Sequence, residues 1–183
     1  MAIREFDPFR LAVAAFAKEA ARLEGRWPLA QFDRLTESAV AEALVAEGVV
    51  VTWQARGEAR LLRGGEAQVW LHLTAATGLP LECQRCLKPV DVALNVQRSF
   101  VFVHGEDAAA QLDAATDDDV LALTRALDLR ELIEDELLLA LPVVPRHEVC
   151  PVPLVVRDDD VAADEAPNPF AALAALKDNV PRH

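Results

Sequence analysis

The hydrophobic and polar positions of this chain follow one period in its middle and another near its ends. Apolar and polar residues alternate through residues 48–62, 67–77 and 90–104, a period of two that is typical of half-buried β-strands. Gly64 and Gly65 mark a turn between the first two stretches. Because parallel neighbours need longer connections than these, the pattern predicts an antiparallel sheet. The pattern is compatible with a strongly curved sheet and with a barrel-like one.

A helical period flanks these strands on both sides. Near the N-terminus, Asp7 is a candidate N-cap and Gly25 a candidate stop, so the Ala-rich segment between them is predicted to form a helix. A second, long helix is predicted near residues 128–141, where Asp128 and Glu131 make a D-x-x-E start like a capping box. Together these elements predict an α+β fold in which two helices pack an antiparallel sheet.

The remaining segments have weaker patterns. Residues 105–119 are rich in Ala and Asp without a usable period and are predicted to form a mobile acidic loop, followed by a short apolar segment. The last stretch is acidic and contains prolines, with a short amphipathic helix predicted around Phe170. The sequence thus predicts one α+β domain over residues 1–150 and a partly ordered acidic tail over residues 151–183.

The composition predicts a soluble globular protein of the cytoplasm. The chain has 183 residues and 52% hydrophobic content, which is enough to bury a core. No apolar run approaches the roughly 18 residues of a membrane span, and the charged N-terminus lacks the apolar segment of a signal peptide. Because cytoplasmic thiols stay reduced, the three cysteines are not expected to form a disulfide framework.

Charge is distributed unevenly along the chain. The net charge is −12, from 18 Lys and Arg against 30 Asp and Glu. Residues 1–103 contain 12 of each sign, so residues 104–183, with 6 basic and 18 acidic residues, hold the whole excess. Acidic runs such as 117–119 and 158–160 are interpreted either as solvated surface or as a face that receives a basic partner.

Two short spacings suggest a metal site. Cys83 and Cys86 in "LECQRCLKPV" lie three positions apart, and His147 and Cys150 in "VPRHEVC" have the same spacing. A tight turn lets two such side chains reach one ion, and three thiolates with an imidazole suit tetrahedral zinc. A structural zinc site is one interpretation, and free thiols are the other. A redox pair is disfavoured because Pro89 and a strand follow, where a thioredoxin-like site needs a helix.

Motifs of catalysis find little support. The chain lacks G-x-G-x-x-G, a Walker-type phosphate loop, G-x-S-x-G and H-E-x-x-H. Its carboxylates lie in runs, so no pair is singled out as general acid and base. The sequence therefore predicts neither an enzymatic activity nor a small-molecule substrate.

Three segments resemble a known bacterial family. "LECQRCLKPV", "DLRELIEDELLLALPVVPRHEVC" and "PNPFAALAALK" occur in this order and at similar distances in the YceD family, the large ribosomal RNA subunit accumulation proteins. The resemblance implies a role in synthesis, processing or stability of the 23S ribosomal RNA, without an established enzymatic activity. It also implies a connection with a small, basic large-subunit ribosomal protein, whose gene often neighbours that of the family.

Two functional hypotheses follow. In the first, the protein is an acidic assembly chaperone for a basic large-subunit component, which it contacts through Glu131, Glu134 and Asp135 on the outer face of the second helix. In the second, it binds rRNA directly through the Cys-containing turn and the strands. The residues expected to contact RNA are Arg85, Lys88 and Arg98, joined by Arg56, Arg60 and Arg63, with Trp53 or Trp70 stacking on unpaired bases.

Overall fold

The architecture is α+β, as the two hydrophobic periods predicted. A computed structural model describes residues 5–44, 48–61 and 67–151. The strands are β1 (Arg22–Pro28), β2 (Val50–Leu61), β3 (Ala67–Glu82), β4 (Pro89–Val103) and β5 (Asp119–Ala122). The helices are α1 (Val13–Lys18), α2 (Asp33–Glu37), α3 (Ala41–Leu44), α4 (Glu106–Asp113) and α5 (Leu129–Leu139), with a 3-10 turn at Leu29–Gln31.

The five strands form one mixed, mostly antiparallel sheet in the order β1-β2-β3-β4-β5. The first three pairings are antiparallel, and β5 pairs with β4 in parallel. The parallel pairing is possible because α4 supplies the crossover that two parallel neighbours need. Within the described residues β1 and β5 form the two edges, so the sheet is open and the barrel-like form is wrong.

The N-terminal helix is much shorter than predicted. Asp7 closes a turn instead of capping a helix, because its carbonyl and side chain accept hydrogen bonds from the backbone N–H groups of Arg10 and Phe9. The chain then leaves α1 through Ala20, whose φ of 46° lies in the left-handed region. Residues 22–28 form β1, since their polar and apolar positions alternate and pair with β2, so the last residues of the predicted helix, up to its expected stop at Gly25, lie in a strand.

The predicted acidic loop at 105–119 contains a helix. Helix α4 begins after Gly105, whose φ of 87° favours glycine. Glu106 and Asp107 stand in its first turn, where carboxylates complement the helix dipole, and Ala109 is buried. Alanines with high helix propensity and packing of α4 against β5 and β4 therefore favour a helix in this segment.

The core lies between one face of the sheet and helices α1, α2 and α5. Helix α5 follows the prediction closely: Asp128 is its N-cap and accepts hydrogen bonds from the backbone N–H groups of Arg130 and Glu131. The largest fully buried side chains come from both layers and include Phe16, Phe32, Leu35, Leu71, Leu73, Leu79, Leu129, Ile133 and Leu137.

Residues 152–183 lie outside the described residues, and so does the helix predicted around Phe170. The division into a domain over 1–150 and a tail over 151–183 therefore stays a prediction. No helix in the described part of the chain is long and apolar enough to cross a membrane.

Close packing of α1 on β2 predicts that a glycine in that strand cannot be replaced. A Cβ at Gly57 would stand 2.6 Å from the Phe16 carbonyl oxygen and 2.7 Å from the Ala17 backbone. We expect Gly57→Ala to lower the free energy of unfolding by about 2 to 3 kcal/mol, as overpacking against backbone does. Urea denaturation measures the loss.

Gly78 on β3 is the matched control, because nothing lies within 4 Å of a Cβ added there. Gly78→Ala should leave stability unchanged or raise it by up to about 1 kcal/mol, since alanine loses less backbone entropy on folding. Equal losses in both variants would contradict the packing explanation.

Candidate metal centre

The turn between β3 and β4 forms the first half of a Cys3His cluster. Strand β3 ends at Glu82 and β4 begins at Pro89, so Cys83 and Cys86 both lie in the connecting turn. The Cys83 N–H donates to the Lys88 carbonyl at 2.9 Å, and the Leu87 N–H donates to the Cys83 carbonyl at 2.8 Å. Leu87 adopts a φ of 56°. These bonds close the turn tightly enough to place two thiols side by side.

The segment after α5 supplies the second half. The Gln84 N–H donates to the Pro145 carbonyl at 2.9 Å, which ties this segment to the turn. His147 and Cys150 follow, and the ligand atoms of all four residues, Cys83, Cys86, His147 and Cys150, lie within 4.8 Å of one another. The structure thus brings together the four residues that the two spacings suggested.

The distances between donor atoms fit a tetrahedral ion. With Zn–S and Zn–N bonds of about 2.3 and 2.0–2.1 Å, tetrahedral angles place two sulfurs ~3.8 Å apart and a sulfur and a nitrogen ~3.5 Å apart. Cys83 Sγ and Cys150 Sγ are separated by 3.9 Å, and Cys86 Sγ and His147 Nδ1 by 3.5 Å. The residues present could therefore hold a metal ion with little rearrangement.

The electrostatics of the cluster also suit a cation. Burial opposes ionisation of the Cys83 thiol, but hydrogen bonds to the backbone of His147, Arg85 and Cys86 prevail and lower its pKa to about 5. Burial raises the pKa of Cys86, and hydrogen bonds with the Cys150 and Cys83 thiols add to the rise. Thiols this close cannot all ionise without a compensating positive charge, which a divalent ion would provide.

Arg85 belongs to this cluster and supplies one such charge. Its Nε donates to Cys150 Sγ at 2.9 Å, and its Nη2 donates to the carbonyls of His147 and Glu148 at 3.2 and 3.4 Å. The hydrogen bond with Cys150 raises the pKa of the guanidinium. Sequence reasoning missed this role because nothing in the linear pattern places Arg85 beside residues more than 60 positions away.

The other residues predicted to contact RNA are scattered. Lys88 is exposed at the end of the turn. Arg98 Nε donates to the buried carboxylate of Glu136 at 3.0 Å, and its Nη1 lies 3.8 Å from Asp119. Trp53 and Trp70 are each only 5% exposed, so the expectation that either is free to stack on bases is wrong. Arg63 lies outside the described residues, and an RNA-binding role for Arg85, Lys88 and Arg98 stays a prediction.

The acidic residues of α5 divide between surface and interior. Glu131 and Asp135 are exposed, but Glu134 is only 8% exposed, so its predicted place on the outer face is wrong. One Glu134 oxygen accepts from the backbone N–H groups of Arg34 and Leu35 at 2.8 and 3.1 Å, and the other accepts from the Arg34 guanidinium. Glu134 therefore fastens α2 to α5, and a partner-binding role remains predicted only for the exposed pair.

Comparisons with known proteins agree on one family. The family described as "Large ribosomal RNA subunit accumulation protein YceD" matches residues 71–177, a range that includes the whole Cys3His cluster. A protein of that name from Haemophilus influenzae is 32% identical over 158 residues, which cover 84% of this chain and 86% of the relative. No solved structure matches the chain.

The buried position of Glu134 predicts a large effect of its removal. We expect Glu134→Ala to lower the free energy of unfolding by about 2 to 3 kcal/mol, because two backbone N–H groups and the Arg34 guanidinium lose a charged acceptor. Glu131→Ala, one turn away and exposed, should change it by no more than about 0.5 kcal/mol. Thermal or urea unfolding of the two variants makes the comparison, and similar small losses would show that Glu134 is not an anchor.

Proposed function

The chain belongs to the YceD family of large ribosomal RNA subunit accumulation proteins, and from this premise we propose that it acts as a non-enzymatic, acidic assembly chaperone. Its partner would be a basic component of the large ribosomal subunit in the cytoplasm, most simply a ribosomal protein. Escorting such a component would support accumulation of the 23S ribosomal RNA, because assembly of the subunit protects its RNA.

The observation that carries the proposal is the acidic surface formed by α4 and the residues up to β5. Between residues 104 and 119 the chain has six carboxylates and no Lys or Arg. The acidic side chains are all exposed: Glu106, Asp107, Asp113, Asp117, Asp118 and Asp119. Such a predominantly acidic surface attracts a cationic partner over about a Debye length, and it increases the association rate more than the affinity.

The Cys3His cluster has a structural role in this proposal. We infer that Cys83, Cys86, His147 and Cys150 hold a zinc ion, because the donor set and its spacings suit tetrahedral zinc. Four protein ligands would leave no open coordination position for a substrate. The ion would link the β3–β4 turn to the segment that follows α5, and its contribution would be to stability.

The chaperone proposal predicts salt-sensitive capture of basic ribosomal proteins. Full-length tagged protein should retain purified basic large-subunit proteins at about 50 mM salt and release most of them at about 300 mM, because screening shortens the attraction. We expect the triple variant Glu106→Gln, Asp107→Asn, Asp113→Asn to weaken capture about tenfold, since it removes three of the six carboxylates.

The matched control neutralises three exposed carboxylates elsewhere, in the triple variant Glu37→Gln, Glu42→Gln, Asp91→Asn. It should keep capture within about twofold of the parent, because the acidic surface is unchanged. Capture that is indifferent to salt, or equally weakened by both triple variants, would contradict the chaperone proposal.

The zinc proposal predicts one ion per chain in protein purified without added metal. Stripping the ion with a chelator should lower the melting temperature by roughly 10 °C, because a ligand at a thousand times its Kd stabilises by about 4 kcal/mol. His147→Asn should lose the ion, whereas His104→Asn, outside the cluster, should keep it. Elemental analysis and thermal unfolding give both values, and metal-free protein with unchanged stability would refute the assignment.

A further inference from the structure

The sheet has a second face that the described helices leave largely open. Helices α1, α2 and α5 pack against the inner face, and α4 lies against β5 and the adjoining end of β4. A groove of about 860 Å³ crosses the middle of the outer face, over the four strands β1 to β4. The strand register places matching outer-face residues in rows: Arg22, Arg56, His72 and Ser99; Glu24, Gln54, Thr74 and Gln97; Arg26, Thr52, Ala76 and Asn95.

The β1–β2 half of this face has a positive excess on a chain whose net charge is −12, while the exposed Glu82 and Asp91 lie on the same face nearer the β3–β4 turn. Strands β1 and β2 contribute four outer-face arginines, Arg22, Arg26, Arg56 and Arg60, against two glutamates, Glu24 and Glu58. The Glu58 carboxylate lies 3.3 Å from the Arg56 guanidinium and 3.1 Å from that of Arg60. It is also hydrogen-bonded to His72 Nε2 at 2.8 Å. The negative charge of Glu58 is therefore shared among Arg56, Arg60 and His72.

Two arginines of the face are available to a ligand. Among the described residues, the ion pairs and side-chain hydrogen bonds include neither Arg22 nor Arg26, and both side chains are exposed. Arg22 also lies directly opposite Arg56 in the β1–β2 register. Like charges that face each other across neighbouring strands destabilise a sheet. An anion bound between Arg22 and Arg56 would therefore relieve their repulsion.

Uncharged hydrogen-bonding groups fill the groove between these charges. Thr52, Gln54, Thr74, Asn95 and Gln97 line it, and together they offer both donors and acceptors. A polyanion that also carries bases and sugar hydroxyls could use both parts of such a surface, whereas an acidic peptide could use chiefly the arginines.

We propose that this outer face binds single-stranded RNA. Arg22, Arg26 and Arg56 contact phosphates, and the amide and hydroxyl groups of the groove contact base edges and 2′-hydroxyls. Single-stranded RNA fits because β1 to β4 together span only about 15 Å. Its unpaired bases can lie on the sheet, whereas the bases of a duplex are paired with one another and are not accessible to it. The proposal rests on the family's link to ribosomal RNA and is independent of the chaperone role.

The test is an anisotropy titration of full-length protein with a fluorescent single-stranded RNA of mixed sequence, ~12 nucleotides long, a length within the usual site sizes. We expect saturable binding that the double variant Arg22→Glu, Arg26→Glu weakens about tenfold or more. The slope of log K against log salt should become shallower by about 1.4, since each single-strand phosphate contact contributes about 0.7.

The matched control, Arg10→Glu with Arg125→Glu, makes the same charge change at exposed positions outside the sheet. It should bind within about twofold of the parent. A second pair, Gln54→Ala with Gln97→Ala, leaves the charge unchanged and should still weaken binding several-fold through lost contacts to the bases. Melting temperatures of all variants establish that each is folded.

Three outcomes would overturn the proposal: no saturation at about 0.1 M salt, equal weakening by the control pair, or equally effective competition from duplex RNA or poly-glutamate. Capture of basic ribosomal proteins by the Arg22→Glu, Arg26→Glu variant reports separately on the chaperone role, because α4 is unchanged. Loss of RNA binding with intact capture, or the reverse, therefore identifies which proposal has failed.

Discussion

The long antiparallel ladder between β3 and β4 is the constraint on which the rest of the molecule depends. It runs from the pair Val69 and Phe102 to the pair Glu82 and Pro89, and a shift by one residue would turn every side chain to the opposite face. The same register that buries Leu71 and Leu73 also ends the hairpin at the turn that holds Cys83 and Cys86. Core, Cys3His cluster and outer face are thus consequences of one pairing.

Acidic residues have two distinct uses in this fold. Those of α5 that face inward link the helix to other elements. Glu134 accepts a hydrogen bond from the Arg34 N–H at the start of α2, and Glu136 accepts one from Arg98 on β4. Buried carboxylates of this kind are stable only when fully hydrogen-bonded. Those of α4 and of the residues that follow it up to Asp119 are exposed and form an acidic surface. The protein therefore has an exposed acidic surface at α4 and a separate arginine-rich area on the β1–β2 half of the sheet.

Particular residues show how far sequence reasoning reached and why it stopped. Strands β2, β3 and β4, the start of α5 at Asp128 and the four members of the Cys3His cluster were predicted, because each depends on local periodicity, a cap or a short spacing. The first part of β1, up to Gly25, was mistaken for helix, although the alternation from Arg22 to Trp27 was visible, because helix propensity over the preceding alanines outweighed a short pattern. Glu134 was predicted on the exposed face of α5, because helical spacing alone cannot show that α2 packs against that face.

The sequence by itself determined the alternation that makes a one-sided sheet, the cap and apolar stripe of α5, the ligand spacings and the division between a neutral front and an acidic rear. Only the tertiary structure decided that Arg85 donates to Cys150, that Glu134 caps α2, and that Arg22 faces Arg56 across the open side. The reason is physical: local patterns depend on neighbours a few positions apart, whereas these contacts join residues 34 to 100 positions apart and exist only once the sheet has closed its register.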